Sequence, residues 1–337
     1  MRKLYVLIAV LLALGMVLSA CQQPAAPAEA PQLEVPAEPG TTAPEATEPE
    51  TTAPAVEFKS KDPETLYLAY GDLSVDTLDP ALAYDTMSGE ILQNVYETLI
   101  FYDGESLSEF VPKLAAEMPT VSEDGTVFTF KIRENVKFHN GDVLTPTDVA
   151  YSFQRGLLQG GTSSPQLLLT EPFLGVGIDD VSLLVDPEGN LYDDQAGIAA
   201  ADPAVLMEAC QKVQNAIVAD DAAGTVTMTL AQPWGPFIST IANNWGSIMD
   251  KKWVVENGGW DGTCETWQNY YGVSSADDPF SVMANGTGPF KIDKFVNQDE
   301  IVLVRNEDYW REPAKLAKVV FKQVPEWGTR FAMLQTG

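Results

Sequence analysis

The segment from Gln22 to about Val56 decides where this chain can fold, because it cannot itself form a core. It is built from Pro, Ala, Thr and Glu, with no Lys or Arg and almost no large apolar residue. Such a composition buries too little apolar surface to offset the entropy of ordering, so the stretch is expected to stay extended or disordered. Glu29, Glu34, Glu38, Glu45, Glu48 and Glu50 repel one another and lengthen it. The expected organisation is therefore a tether over residues 21–60 and a folded body over residues 61–337. That body is long enough for one large or two ordinary domains.

Residues 1–20 precede the tether and read as an export signal. Arg2 and Lys3 give a positive start, Leu4 to Val17 run apolar, and Leu18-Ser19-Ala20 closes the stretch with small residues. The apolar run falls short of the roughly 20 residues that span a bilayer comfortably. Leu18-Ser19-Ala20-Cys21 resembles a bacterial lipobox, which implies lipidation of Cys21 as the new N-terminus. The expected location is the cell envelope, lipid-anchored to the outer face of the cytoplasmic membrane or in the periplasm.

A net charge of −28 argues against a nucleic-acid partner, whose phosphates need a basic surface. With Cys21 assigned to lipid, Cys210 and Cys264 remain, and an exported protein permits a disulfide between them. Cys210 shares a helical stripe with Leu206, Val213 and Ile217, however, and this favours a buried free thiol.

Alternation predicts strands at Thr65–Tyr70, Val127–Ile132, Val226–Leu230, Phe290–Phe295, Ile301–Arg305 and Val319–Val324. Asn297-Gln298-Asp299 reads as the turn of a hairpin. Helices are expected at Ser88–Ile100, after Thr145-Pro146-Thr147-Asp148, after Asp202-Pro203, and at Trp327–Gln335. Gly156–Asp202, rich in Gly, Asp and Pro, reads mostly as loop. The class is mixed, α/β or α+β.

Catalytic arrangements are scarce. His139 is the one histidine, and its place before Asn140-Gly141 marks a turn rather than a triad member. One His and no Cys-x-x-Cys leave no usual zinc site, and no phosphate loop is present, so neither metal nor cofactor is expected. Acids are abundant, but nothing in their spacing selects a catalytic pair. The chain does not read as an enzyme. Trp234, Trp245, Trp253, Trp260 and Trp267, with Tyr270 and Tyr271, crowd one stretch and suit either a ligand cleft or a packed core.

Several motifs together carry a resemblance. Leu78-Asp79-Pro80 is followed by a segment ending in Val95-Tyr96-Glu97-Thr98-Leu99. Phe128-Thr129-Phe130-Lys131-Ile132-Arg133 then runs through Val136-Lys137-Phe138-His139-Asn140-Gly141-Asp142 to Leu144-Thr145-Pro146-Thr147-Asp148-Val149. Gly286-Thr287-Gly288-Pro289-Phe290-Lys291-Ile292 and Arg305-Asn306-Glu307-Asp308-Tyr309-Trp310 complete the ordered set. It resembles the extracytoplasmic solute-binding proteins of family 5, the peptide- and nickel-binding components of ABC importers.

The resemblance implies a periplasmic-binding-protein-like fold of two lobes closing on a ligand. Residues 61–100 and 234–337 would belong to the first lobe, and 101–233 to an accessory subdomain. Family members usually run several hundred residues further, so the chain is expected to be a fragment holding mainly the first lobe. Transferred residue by residue, the loop after Leu-Asp-Pro places Tyr84, Asp85 and Thr86 at the ligand. The turn after Pro233-Trp234-Gly235-Pro236-Phe237 places Asn243, Asn244 and Trp245 there. The implied function is capture of dipeptides or oligopeptides by a monomer that delivers them to an ABC permease in the membrane. The alternatives are nickel chelate, oligosaccharide or another small solute on the same fold, or an exported hydrolase.

Overall fold

The computed structural model describes residues 61–161 and 164–336. The export signal, Cys21 and the tether lie outside the described residues. Strand β1 (Thr65–Tyr70) opens the body, and helix α1 (Thr86–Val95) leads to a two-stranded ladder of β2 (Ile100–Tyr102) and β3 (Phe110–Pro112). Next come β4 (Thr120–Val121), β5 (Val127–Lys131), helix α2 (Pro146–Gln159) and a run of shorter helices, then β6 (Ile217–Asp220) and β7 (Thr225–Thr229). The chain returns through β8 (Phe290–Val296), β9 (Glu300–Arg305) and β10 (Lys318–Gln323). The first and last parts share one sheet, ordered β1-β10-β9-β8, and the middle forms another, ordered β4-β5-β7-β6.

The strands follow from local alternation. Phe128 and Phe130 on β5, and Val226 and Met228 on β7, turn into the core while their neighbours face outward. Val149, Phe153 and Leu157 of α2 cover that face. Thr145 closes a full capping box with Asp148 ahead of Pro146, so α2 starts where the sequence places it. The β8–β9 hairpin turns through Gln298 at φ 59°. Its Asn297 accepts from Val75 N at 2.9 Å and donates to Val75 O at 2.7 Å, pinning the turn to the chain after β1.

Two expectations need correction. Helix α1 ends at Val95, not Ile100, because another segment crosses its end. Gly288 N donates to Val95 O at 2.9 Å, and a Cβ on Gly286 would stand 2.0 Å from that same oxygen. Only glycine permits this approach. Residues 156–202 are mostly loop and turn, as expected, but also carry three short helices, α3 (Leu167–Leu174), α4 (Ser182–Val185) and α5 (Gln195–Ala199). Helices this short gain their stability from packing rather than local propensity, and Leu169, Phe173 and Ile198 are buried.

The second correction is that Cys210 is not a free thiol: it is bonded to Cys264, with their Cα atoms 5.5 Å apart. The loop holding Cys264 folds back on α6 (Pro203–Ala216), where Trp267 Nε1 donates to Leu206 O and Gln214 Nε2 to Gly262 O. Burial of Cys210 is real, but burial and bonding are compatible. The aromatic stretch serves the core in the same region. Trp260, Trp267 and Tyr271 are fully buried, and Trp260 stacks on Tyr151 at 5.4 Å.

Candidate functional site

The two loops named from sequence meet in space. Asn244 Nδ2 donates to Ala83 O at 2.9 Å across the gap between them. Beside that bond, the Tyr84 and Trp245 rings stand 6.0 Å apart and tilted at 53°. Tyr84 is 63% exposed and Trp245 half-buried, so the pair offers an aromatic surface to solvent. Aromatic faces of this kind bind apolar and planar groups with little loss of side-chain entropy.

The other four positions differ in what they leave free. Asp85 is the N-cap of α1, accepting from Ser88 N at 2.8 Å through one oxygen, while its second oxygen is buried without a partner. Thr86 is exposed and starts the helix. Asn243 donates to Ser239 O at 2.8 Å, a bond within its own turn after α7 (Phe237–Ile241). Asn244 is buried and its amide is engaged with Ala83, so it positions a loop rather than presenting a free group.

Sequence reading missed a third segment that ties these loops together. Ser164 Oγ donates to Ala81 O at 2.9 Å, and Gln166 Nε2 donates to Trp245 O at 3.1 Å. Gln166 is only 2% exposed and its side-chain oxygen has no partner. These residues sit in the stretch read as loop, and no local pattern marks them. Their role depends on neighbours 79 and 83 residues away in the chain.

A profile of bacterial extracellular solute-binding proteins, family 5 (middle region), matches residues 109–337. The chain belongs to family 5. The dipeptide-binding protein DppE of Bacillus subtilis is 26% identical over 262 residues, covering 77% of this chain and 39% of that protein. The glutathione-binding protein GsiB of Escherichia coli K12 is 27% identical over 262 residues, covering 77% of this chain and 38% of that protein. Among solved structures, DppA from Helicobacter pylori in complex with the peptide STSA matches with a TM-score of 0.53 at 25% identity, covering 81% of this chain and 45% of that one. Peptide-bound OppA of Listeria monocytogenes has a TM-score of 0.58 at 23% identity, covering 82% and 45%. The chain thus spans about two fifths of the curated relatives' length.

The family 5 motifs prove to be one another's partners. Asp79 of Leu-Asp-Pro is paired with Arg155 on α2. Glu97 accepts from Thr287 Oγ1 at 2.9 Å, Tyr309 OH at 2.7 Å and Trp310 Nε1 at 2.6 Å, joining three blocks that are far apart in the chain. His139 occupies a tight turn, with Gly141 N donating to Phe138 O, and its Nε2 lies 3.0 Å from Gly288 O. Burial, partly opposed by that carbonyl, lowers the His139 pKa to about 4, so the ring is neutral and donates through Nε2. The motifs hold the body together; the Tyr84–Trp245 surface lies beside them.

Among the described residues no helix is long and apolar enough to cross a membrane.

Proposed function

We propose that this chain is the ligand-capturing part of a membrane-tethered substrate-binding component of an ABC importer for dipeptides or oligopeptides. Ligand would lie against Tyr84 and Trp245, with the Asp85–Thr86 backbone and the Asn243–Asn244 turn at its sides. The observation that carries this reading is the joining of residues 84–86 to 243–245 by the Asn244–Ala83 bond and the aromatic pair, on a chain of family 5. The named relatives bind dipeptides and glutathione, and both solved neighbours were captured with peptide. Backbone pairing with an extended ligand gives affinity without demanding one sequence.

In this reading residues 61–100 and 234–337 form one lobe and 101–233 an accessory subdomain, and the component works as a monomer without chemistry. The β4-β5-β7-β6 sheet, which lies wholly within 101–233, supports the division. Cys21 would carry the lipid that keeps the body at the membrane beside its permease. An oligosaccharide reading loses part of its motive, since Trp260, Trp267 and Tyr271 are core residues while Trp245 stays partly open.

The test is to purify the native gene product from the envelope of its host and identify what co-purifies by mass spectrometry. Peptides are expected, released by denaturation and competed by a synthetic dipeptide mixture. Recovery of a sugar or a nickel chelate in their place would refute peptide capture. An unacylated native N-terminus would refute the tether separately.

A further inference from the structure

A cavity of about 120 Å³ opens beside Glu97, with Gln93, Phe101, Lys113, Ser247 and Pro289 among its walls. Its unspent hydrogen-bonding capacity lies mainly on the donor side. Both Glu97 oxygens are already taken by Thr287, Tyr309 and Trp310. The Lys113 ammonium and the Ser247 hydroxyl, by contrast, make no hydrogen bond among the described residues. Lys113 is half-buried, with its ammonium 5.9 Å from the Phe101 ring centre. Burial and then the nearby Arg311 charge hold its pKa below the ordinary lysine value, against the opposing pull of the Glu97 carboxylate.

Two more cations crowd the same corner. Arg133 donates to Lys113 O at 2.9 Å and Ala115 O at 3.1 Å, and Arg311 donates to Pro112 O at 3.3 Å. Their guanidinium groups stand 4.7 and 4.4 Å from the Trp310 ring centre. None of the three cations makes an ion pair among the described residues. On a chain of net charge −28, Lys113 brings a cation without an ion pair to the cavity wall, and Arg133 and Arg311 stand behind it on the backbone of residues 112–115.

We propose that this cavity binds a small carboxylate. Lys113 supplies a charge-assisted hydrogen bond and Ser247 a second donor, while Phe101 and Pro289 cover a short carbon body. The volume suits an ion of acetate or propionate size. A free small acid and the terminal carboxylate of a short peptide share this chemistry, and Asn244 stands in both the cavity wall and the loop beside Tyr84.

The test is calorimetric titration of the chain with sodium acetate against sodium chloride at constant ionic strength. Saturable acetate binding is expected, weakened about tenfold or more in Lys113→Gln, the effect of losing one hydrogen bond to a charged group. Ser247→Ala should weaken it by a smaller factor. Gly-Gly and its C-terminal amide then separate the sources. Displacement of acetate by the dipeptide but not by its amide assigns the site to a peptide terminus, and displacement by neither assigns it to a free acid. No saturation by acetate, or unchanged affinity in Lys113→Gln, overturns the proposal. Should Lys113→Gln fail to fold, unchanged affinity in Ser247→Ala overturns it instead. Because acetate is the probe, failure of peptide capture would leave this result standing.

Discussion

Arg155 holds Asp79 through two hydrogen bonds, Nη1 to Oδ1 at 2.8 Å and Nη2 to Oδ2 at 2.5 Å, with neither side chain more than 5% exposed. Burial raises the carboxyl pKa, but the Arg155 charge and its hydrogen bonds outweigh that and hold it below the usual range. The pair fastens the loop that leads to Tyr84 onto helix α2. Arg155→Met leaves the buried Asp79 without its cation. It should cost about 3–5 kcal/mol, read as a lower urea midpoint. A loss under 1 kcal/mol would mean that water reaches Asp79 and solvates it.

Asp278 completes this cluster, its Oδ1 3.9 Å from Arg155 Nη2. Burial first, then the Asp79 charge, push its pKa up to about 8 from the ordinary 3.8. The folded protein therefore keeps a proton that the unfolded chain releases. That contribution is fully present below the unfolded pKa and lost as pH rises through about 8. Asp79, shifted downward, acts only at more acid pH. Asp278→Asn cannot ionise and keeps a donor in place. Its melting temperature should gain on the wild type between pH 5 and pH 9, by about 2–4 °C for each kcal/mol. Parallel curves across that range would contradict the assignment.

The Cys210–Cys264 bond closes a loop over a separation of 54 residues. Cys264→Ser should lower stability by about 2–4 kcal/mol through freedom restored to the unfolded chain. Chemical denaturation with and without reductant should show the wild type falling to the variant's level. A reductant-insensitive wild type would show that the bond contributes nothing.

Gly286 tests the crossing over α1. An added Cβ would stand 2.0 Å from Val95 O and 2.8 Å from Tyr96 Cα, neither of which can move aside as a flexible side chain would. Gly286→Ala should destabilise by about 3 kcal/mol or more. Gly235→Ala, where nothing lies within 4 Å of the new atom, should be near neutral and serves as the control.

Trp245 carries the proposed ligand surface. In the native protein Trp245→Ala should weaken ligand binding by more than the roughly 1 kcal/mol of an average substitution, with a smaller effect on folding. His139→Gln should leave affinity unchanged, because the ring faces Gly288 O and not the Tyr84–Trp245 surface. The reverse pattern in calorimetry would remove the aromatic pair from the site.

Much of the architecture is legible in local chemistry. The Phe128/Phe130 alternation, the Thr145 capping box and the Asn297–Asp299 turn each act over a few residues, so β5, α2 and the β8–β9 hairpin stand where the sequence puts them. Likewise, the ordered motifs point to the family that residues 109–337 match. Local chemistry misleads where the deciding partner is remote. Helix α1 stops at Val95 because Gly286 and Gly288 cross it some 190 residues later, and Cys210 is bonded because a distant loop brings Cys264 to it. The candidate site divides in the same way. Tyr84 and Trp245 are nameable through the family resemblance, but their contact, the Gln166 tie and the unpaired Lys113 exist only once the chain has folded. Periodicity and capping are properties of neighbouring residues, whereas a shared surface belongs to residues that only packing brings together.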